Sequence, residues 1–135
     1  MSKAAVVYYS GSGNTEAMAD IIANALGADK IEAEGFNSAQ AAAYDAIAFG
    51  CPAMGDEVLE ESVFQPMWDD VKGSLAGKKV ALFGSYGWGD GQWMRDWEAD
   101  CVASGVSRAA ESVICCEAPD DDATAALQAL AKALA

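Results

Sequence analysis

Tyr9-Ser10-Gly11-Ser12-Gly13-Asn14-Thr15 crowds hydroxyls, an amide side chain and two glycines into one short stretch. It follows an apolar run, Ala4-Ala5-Val6-Val7-Tyr8, and precedes Met18, Ile21, Ile22, Ala25 and Leu26 at helical spacing. That pattern predicts a turn from a buried strand into a helix. A helix N-terminus leaves backbone N–H groups unpaired and carries the positive end of the helix dipole. Glycines let such amides approach a ligand closely. Ser10, Ser12, Asn14 and Thr15 add side-chain donors, so the stretch reads as a phosphate socket. A turn that merely caps its helix is the alternative.

Residues that are missing narrow the kind of phosphate. The nucleoside-triphosphate loop needs a Lys after its last Gly, and none is present. The dinucleotide fingerprint needs a third Gly, and Glu16 stands in its place. No Lys or Arg lies between Lys3 and Lys30. Neutral dipoles alone would hold the anion, which suits a terminal phosphomonoester.

Two further stretches carry residues that ordinary packing does not explain. One is Cys51-Pro52-Ala53-Met54-Gly55-Asp56-Glu57 and the other Ser85-Tyr86-Gly87-Trp88-Gly89-Asp90-Gly91. Trp88 lies between glycines in a predicted loop. Opposite Met54, it would sandwich a flat aromatic ring. The alternative is that Trp88 plugs its own loop.

The elements that must position these loops follow from the periodicity. Strands are predicted at 3–9, 29–34, 45–50 and 79–83 and within 106–115. Helices are predicted from the first loop to Leu26, within 35–43, from Ser62, over 92–104 and at the C-terminus. Ser62 and Gln65 have the spacing of a capping box. Five apolar strands alternating with helices call for an α/β fold, a doubly wound parallel sheet in three layers. Ligands bind such sheets beyond the carboxyl ends of the strands, where strand order reverses. The loops after strands one, three and four should therefore converge. The 135 residues read as one domain, 1–135.

Composition excludes several functions. The net charge is −13, from 21 acids and 8 bases, so nucleic acid is an unsuitable partner. With no His, imidazole acid–base chemistry and Ser/His/Asp or Cys/His nucleophiles are absent. Cys51, Cys101, Cys115 and Cys116 have no zinc or C-x-x-C spacing, so no metal site is expected. Reduced thiols and a cytoplasmic location are the expectation. No apolar stretch is long enough to span a bilayer and no export signal is visible.

Taken jointly, Ser10 to Thr15, Ala53 to Glu57 and Ser85 to Asp90 resemble the flavodoxins, specifically the short-chain type of anaerobic bacteria. That family is itself one of the examples behind the switch-point rule, with strand order 2-1-3-4-5 and FMN at the reversal. The resemblance implies that order here. It implies FMN with its phosphate held by Ser10, Gly11, Ser12, Gly13, Asn14 and Thr15. It places Met54 and Trp88 on the two ring faces, with Pro52, Ala53, Gly55, Asp56, Ser85, Tyr86, Gly89 and Asp90 in the same two loops. Glu57 would accept from the flavin N3–H, the Gly87 amide would reach O2, and Cys116-Glu117 would skirt the ring. Relatives often carry Asn at the Glu117 position.

The implied function is low-potential one-electron transfer between redox enzymes, cycling the flavin between semiquinone and hydroquinone, with no catalytic residues. Gly55 turns its peptide over cheaply, which would offer a carbonyl to a newly protonated N5. Partners would be redox proteins that also use ferredoxin, docking on an acidic rim at Asp56, Glu57, Glu60 and Glu61. A monomer is expected. One alternative is a small FMN-dependent quinone or NAD(P)H oxidoreductase, although no substrate-binding insertion is evident. Another is a signalling receiver, which would need paired acids where Tyr9 and Ser10 stand.

Overall fold

The computed structural model describes residues 3–11, 13–54, 58–87 and 91–135. Five parallel strands, β1 (Ala4–Tyr8), β2 (Asp29–Glu32), β3 (Ala46–Gly50), β4 (Lys79–Tyr86) and β5 (Val113–Cys116), lie in the order β2-β1-β3-β4-β5. Helices α1 (Asn14–Leu26), α2 (Ser38–Ala41), α3 (Phe64–Val71), α4 (Gln92–Ala103) and α5 (Asp121–Leu134) connect or follow them. The doubly wound sheet and its order match the expectation.

Strand alternation sorts the apolar side chains into two cores. Val6, Tyr8, Ala48, Ala81 and Phe83 face Met18 and Ile22 of α1 and Leu127, Leu130 and Leu134 of α5. Val7, Ile47, Phe49 and Leu82 face Phe64, Trp68 and Val71 of α3 and Trp93, Trp97 and Cys101 of α4. The second core is aromatic. Phe49–Trp68, Trp68–Trp97 and Phe64–Trp97 meet edge to face with centroids 5.2, 5.6 and 5.3 Å apart. Such pairs add about 0.5–1.5 kcal/mol each beyond area burial.

Three strand ends differ from the sequence reading. β2 stops at Glu32 because Ala33–Gly35 wind into a 3-10 turn. β4 runs to Tyr86, so Ser85 and Tyr86 are strand residues, because β5 pairs with them at Cys115 and Cys116. β5 itself starts only at Val113. The preceding segment touches β4 through a single bridge at Arg108, where Ala109 N–H donates to the Val80 carbonyl at 2.7 Å. All four cysteines are free thiols, and Cys115 and Cys116 fall on opposite faces of β5.

Glu60 organises the entrance to α3. Its carboxylate accepts from the amides of Ser62 at 2.9 Å, Val63 at 2.7 Å and Phe64 at 2.9 Å, and from the Ser62 hydroxyl. This replaces the capping box expected of Ser62 and Gln65. A carboxylate has two oxygens and a charge that suits the positive helix end, whereas one hydroxyl satisfies one amide. Burial would push the Glu60 carboxyl up, but the hydrogen bonds from Ser62, Phe64 and Val63 outweigh it and hold it down at about 2.

Two outcomes follow. The Glu60 pKa is lower in the folded chain than the roughly 4.3 of a free Glu side chain, so its stabilisation is complete above that value. Denaturant midpoints should therefore fall as pH drops from about 4.3 toward 2, and Glu60→Gln should flatten that window. A Cβ on Gly50 would lie 2.2 Å from the Phe83 ring. Gly50→Val should therefore cost about 1–3 kcal/mol by urea unfolding, as overpacked cores do.

Candidate functional site

β1 leads into α1 on one face of the sheet, while β3 and β4 lead into α3 and α4 on the other. The loops leaving β1 and β3 part in opposite directions and leave a crevice at the strand carboxyl ends. A pocket of about 320 Å³ occupies it, lined by Gly11, Asn14, Pro52, Ala53, Met54, Ser85, Tyr86, Gly87 and Glu117. All three loops singled out by sequence therefore meet in one place, with the end of β5. A larger cleft of about 410 Å³ between β5 and α5 is lined by Ala110, Ser112, Val113, Ile114 and Leu130 among others and includes no residue of the three loops.

Ser10 shapes the first loop from within. Its hydroxyl oxygen accepts from the Gly13 amide at 3.0 Å and the Glu16 amide at 3.2 Å. Its own proton stays available to a ligand. Gly13 has φ +93°, which a side chain would strain, and a Cβ on Gly11 would meet only open space. Glu16, found where a dinucleotide site has Gly, accepts from the Tyr8 hydroxyl at 3.2 Å and pairs with Lys30 at 3.0 Å. This cluster braces the start of α1 against β1 and β2, and it engages the Lys30 ammonium away from the loop.

Thr15 provides the fit test for a phosphate. It is 1% exposed, and its hydroxyl has no hydrogen-bond partner among the described residues. An unpaired buried hydroxyl costs about 1–3 kcal/mol, so it marks a place for an acceptor. Neutral donors and the end of a 13-residue helix suit a phosphomonoester such as that of FMN.

The second loop closes on itself at its base. Met54 and Val58 exchange backbone hydrogen bonds at 3.0 and 3.1 Å, and the Ala53 amide donates to the Ser85 carbonyl at 3.0 Å. Met54 lines the pocket and its side chain is exposed. Cys51 is fully buried, and desolvation pushes its thiol up to about 12, so it carries no thiolate chemistry at neutral pH.

Ser85 reaches the pocket as part of β4. Its hydroxyl is committed to the Glu117 carbonyl at 2.6 Å. Glu117 sits at φ 64°, a left-handed conformation that favours Gly or Asn. Its amide donates to the Tyr86 carbonyl at 2.8 Å, which holds the end of β5 at the pocket rim. Cys116 is exposed at that strand end. Ser12, Gly55, Asp56, Glu57, Trp88, Gly89 and Asp90, expected at the site, lie outside the described residues.

Glu60 requires a correction. It was expected on the acidic rim but is 6% exposed, because its carboxylate faces inward to the amides of α3. Glu61 beside it is exposed. Trp93 escaped the sequence reading altogether. Buried in the first turn of α4, it donates its indole N–H to the Cys51 carbonyl at 3.1 Å. Its position between two loops gave no periodic signal beyond that of a core residue.

Comparison with known proteins bears on this geometry. The flavodoxin family model matches residues 6–129. The chain is 52% identical to a flavodoxin of Clostridium beijerinckii over 98 residues, 69% of this chain and 71% of that one. It is 46% identical to a flavodoxin of Megasphaera elsdenii over 121 residues, 86% of this chain and 88% of that one. The solution structure of the two-electron reduced Megasphaera elsdenii flavodoxin superposes with a TM-score of 0.86 at 41% identity, covering 96% and 98% of the two chains. The oxidised flavodoxin 1 of Bacillus cereus gives 0.84 at 26% identity, covering 98% and 97%. A family model spanning nearly the whole chain and a relative this similar over most of it lead to one conclusion: the chain belongs to the flavodoxin family and carries electrons on non-covalently held FMN, with no substrate of its own to turn over.

Proposed function

We propose that the pocket formed by the loops after β1, β3 and β4 holds FMN, and that the chain delivers single electrons at low potential to redox proteins that also use ferredoxin. The convergence of three sequence-distant loops on one pocket carries this reading, and the buried, unpaired Thr15 hydroxyl, next along the chain from the lining residue Asn14, supports it. Bound FMN would supply the redox chemistry, taking up electrons one at a time.

The chain's own residues do the rest. Ser10, Ser12, Asn14 and Thr15, with the amides at the head of α1, hold the phosphate. Gly11 and Gly13 keep the approach clear. Met54 and Trp88 cover the two faces of the ring, and Pro52, Ala53, Tyr86 and Gly89 complete the walls. Glu57 accepts at N3–H, Gly87 donates its amide at O2, and Cys116 and Glu117 border the ring edge. Ser12, Gly55, Asp56, Glu57, Trp88, Gly89 and Asp90 enter here through the family resemblance of the sequence alone. The paired backbone of Met54 and Val58 supports a loop whose legs stay fixed while the Gly55 peptide turns over.

Negative charge shapes both the potential and the partner. A net charge of −13 disfavours adding an electron to a ring enclosed by protein, which lowers the potential of the last reduction step. Exposed Glu61 would belong to an acidic rim to which the sequence adds Asp56 and Glu57, and exposed Met54 and Val58 offer apolar surface on the same loop. This combination suits a basic docking face on a partner, whose association salt slows. No described helix is long and apolar enough to cross a membrane. A monomer made of one domain, 1–135, acting in the cytoplasm, fits this role.

Thr15→Val removes the hydroxyl and keeps the volume. It should weaken FMN binding about tenfold, the worth of one buried hydrogen bond, without lowering the stability of the FMN-free protein. Flavin fluorescence titration and urea unfolding measure the two effects, and an unchanged dissociation constant would refute the phosphate placement. Gly55→Ala should bring the two one-electron midpoint potentials closer together, because a Cβ penalises the positive-φ peptide orientation by about 1 kcal/mol or more. Redox titration under anaerobic conditions reads the gap, and an unaltered gap would argue against the peptide rotation.

A further inference from the structure

We infer that Trp93 and Cys51 form a tie that sets the spacing between the two loops on either side of the flavin, which makes Trp93 a positioning residue for the cofactor. The inference rests on FMN occupying the pocket described above.

Trp93 stands in the first turn of α4, directly after the loop that contains Gly87. Cys51 is the first residue after β3, at the root of the loop that contains Met54. The Trp93 indole N–H donates to the Cys51 carbonyl at 3.1 Å, a buried hydrogen bond joining residues 42 positions apart. The rest of Cys51 is equally committed. Its amide donates to the Phe83 carbonyl at 3.2 Å, and its sulfur accepts from the Glu60 amide at 3.3 Å. Cys51 and Glu60 are the two ends of the Met54 loop. One residue therefore anchors that loop to β4, to its own returning leg and to α4.

The approach is possible only because residue 84 is Gly. A Cβ there would lie 2.2 Å from the Cys51 carbonyl oxygen and 3.1 Å from the Trp93 ring. The Trp93 ring also packs on Tyr86, centroids 5.6 Å apart, and Tyr86 lines the pocket. A comparison within α4 separates the tie from simple core filling. Trp97 is as deeply buried on the same helix, yet its indole N–H has no partner among the described residues. Trp97 fills space with its N–H unpaired, whereas Trp93 directs its N–H to the root of the Met54 loop. Without that donor, the Cys51 carbonyl loses its side-chain partner in the core and the link from α4 to the root of the loop is broken.

The test compares Trp93→Phe with Trp97→Phe, which loses the same atoms but no hydrogen bond. In the FMN-free protein, Trp93→Phe should accelerate hydrogen exchange at the Met54 and Val58 amides about tenfold, and in FMN titrations it should raise the dissociation constant by a similar factor. The two midpoint potentials should also move. Trp97→Phe should leave the exchange, the affinity and the potentials unmoved. Equal behaviour of the two variants overturns the inference, because both would then be core residues and nothing more. A wild-type chain that fails to bind FMN refutes the pocket assignment, while the exchange comparison still decides the tie. Should Trp93→Phe not fold, Gly84→Ala replaces it. Its Cβ would lie 2.2 Å from the Cys51 carbonyl oxygen and displace it from the indole N–H, and unchanged Met54 and Val58 exchange in that variant likewise overturns the inference.

Discussion

The site depends on the divergence of β1 and β3. These neighbours pair in parallel from Ala4 opposite Ala46 to Tyr8 opposite Gly50. Then α1 turns to the face it shares with α5, and α3 to the face it shares with α4. The chain cannot cover the gap between two connections that leave in opposite directions. A crevice at the strand carboxyl ends is thus a consequence of the winding, present before any residue in it is chosen.

The crevice is equipped with dipoles in place of cations. An anion beside a chain of net charge −13 would be repelled over long range. Short, buried donors are little screened and work against that field only locally. The Ser10 hydroxyl folds the loop by accepting two amides, Gly13 supplies the left-handed turn, and Thr15 waits with an unpaired hydroxyl. The Lys30 ammonium is held by Glu16 and Asp20 at 3.0 and 2.7 Å. Neutral donors in the loop and paired charges beside it are in this way kept separate.

Buried polar groups around the Met54 loop do structural work that composition conceals. Glu60 looks like one more surface acid, but its carboxylate is the N-terminal cap of α3. Cys51 looks like a reactive thiol near a cofactor, but burial silences it and turns its sulfur into an acceptor for the Glu60 amide. Glu117 holds a left-handed backbone at the end of β5, strain of the kind that collects where a site demands a particular direction of the chain.

What the linear order of residues determined was local and periodic. Alternating strand and helix patterns specify a parallel doubly wound sheet, and Ser/Gly crowding after β1 points to an anion socket, because both depend on neighbours along the chain. The order β2-β1-β3-β4-β5 and the FMN assignment came through resemblance to a family, since spacing alone does not rank strand order. Tertiary structure decided what involves distant partners. β4 extends to Tyr86 only because β5 arrives to pair with it, and Glu60 points inward only because the amides of α3 are there to receive it. The Trp93 indole reaches Cys51 only because Gly84 leaves room. Each is a hydrogen bond or a close approach across many residues, and no periodicity in a single segment records it.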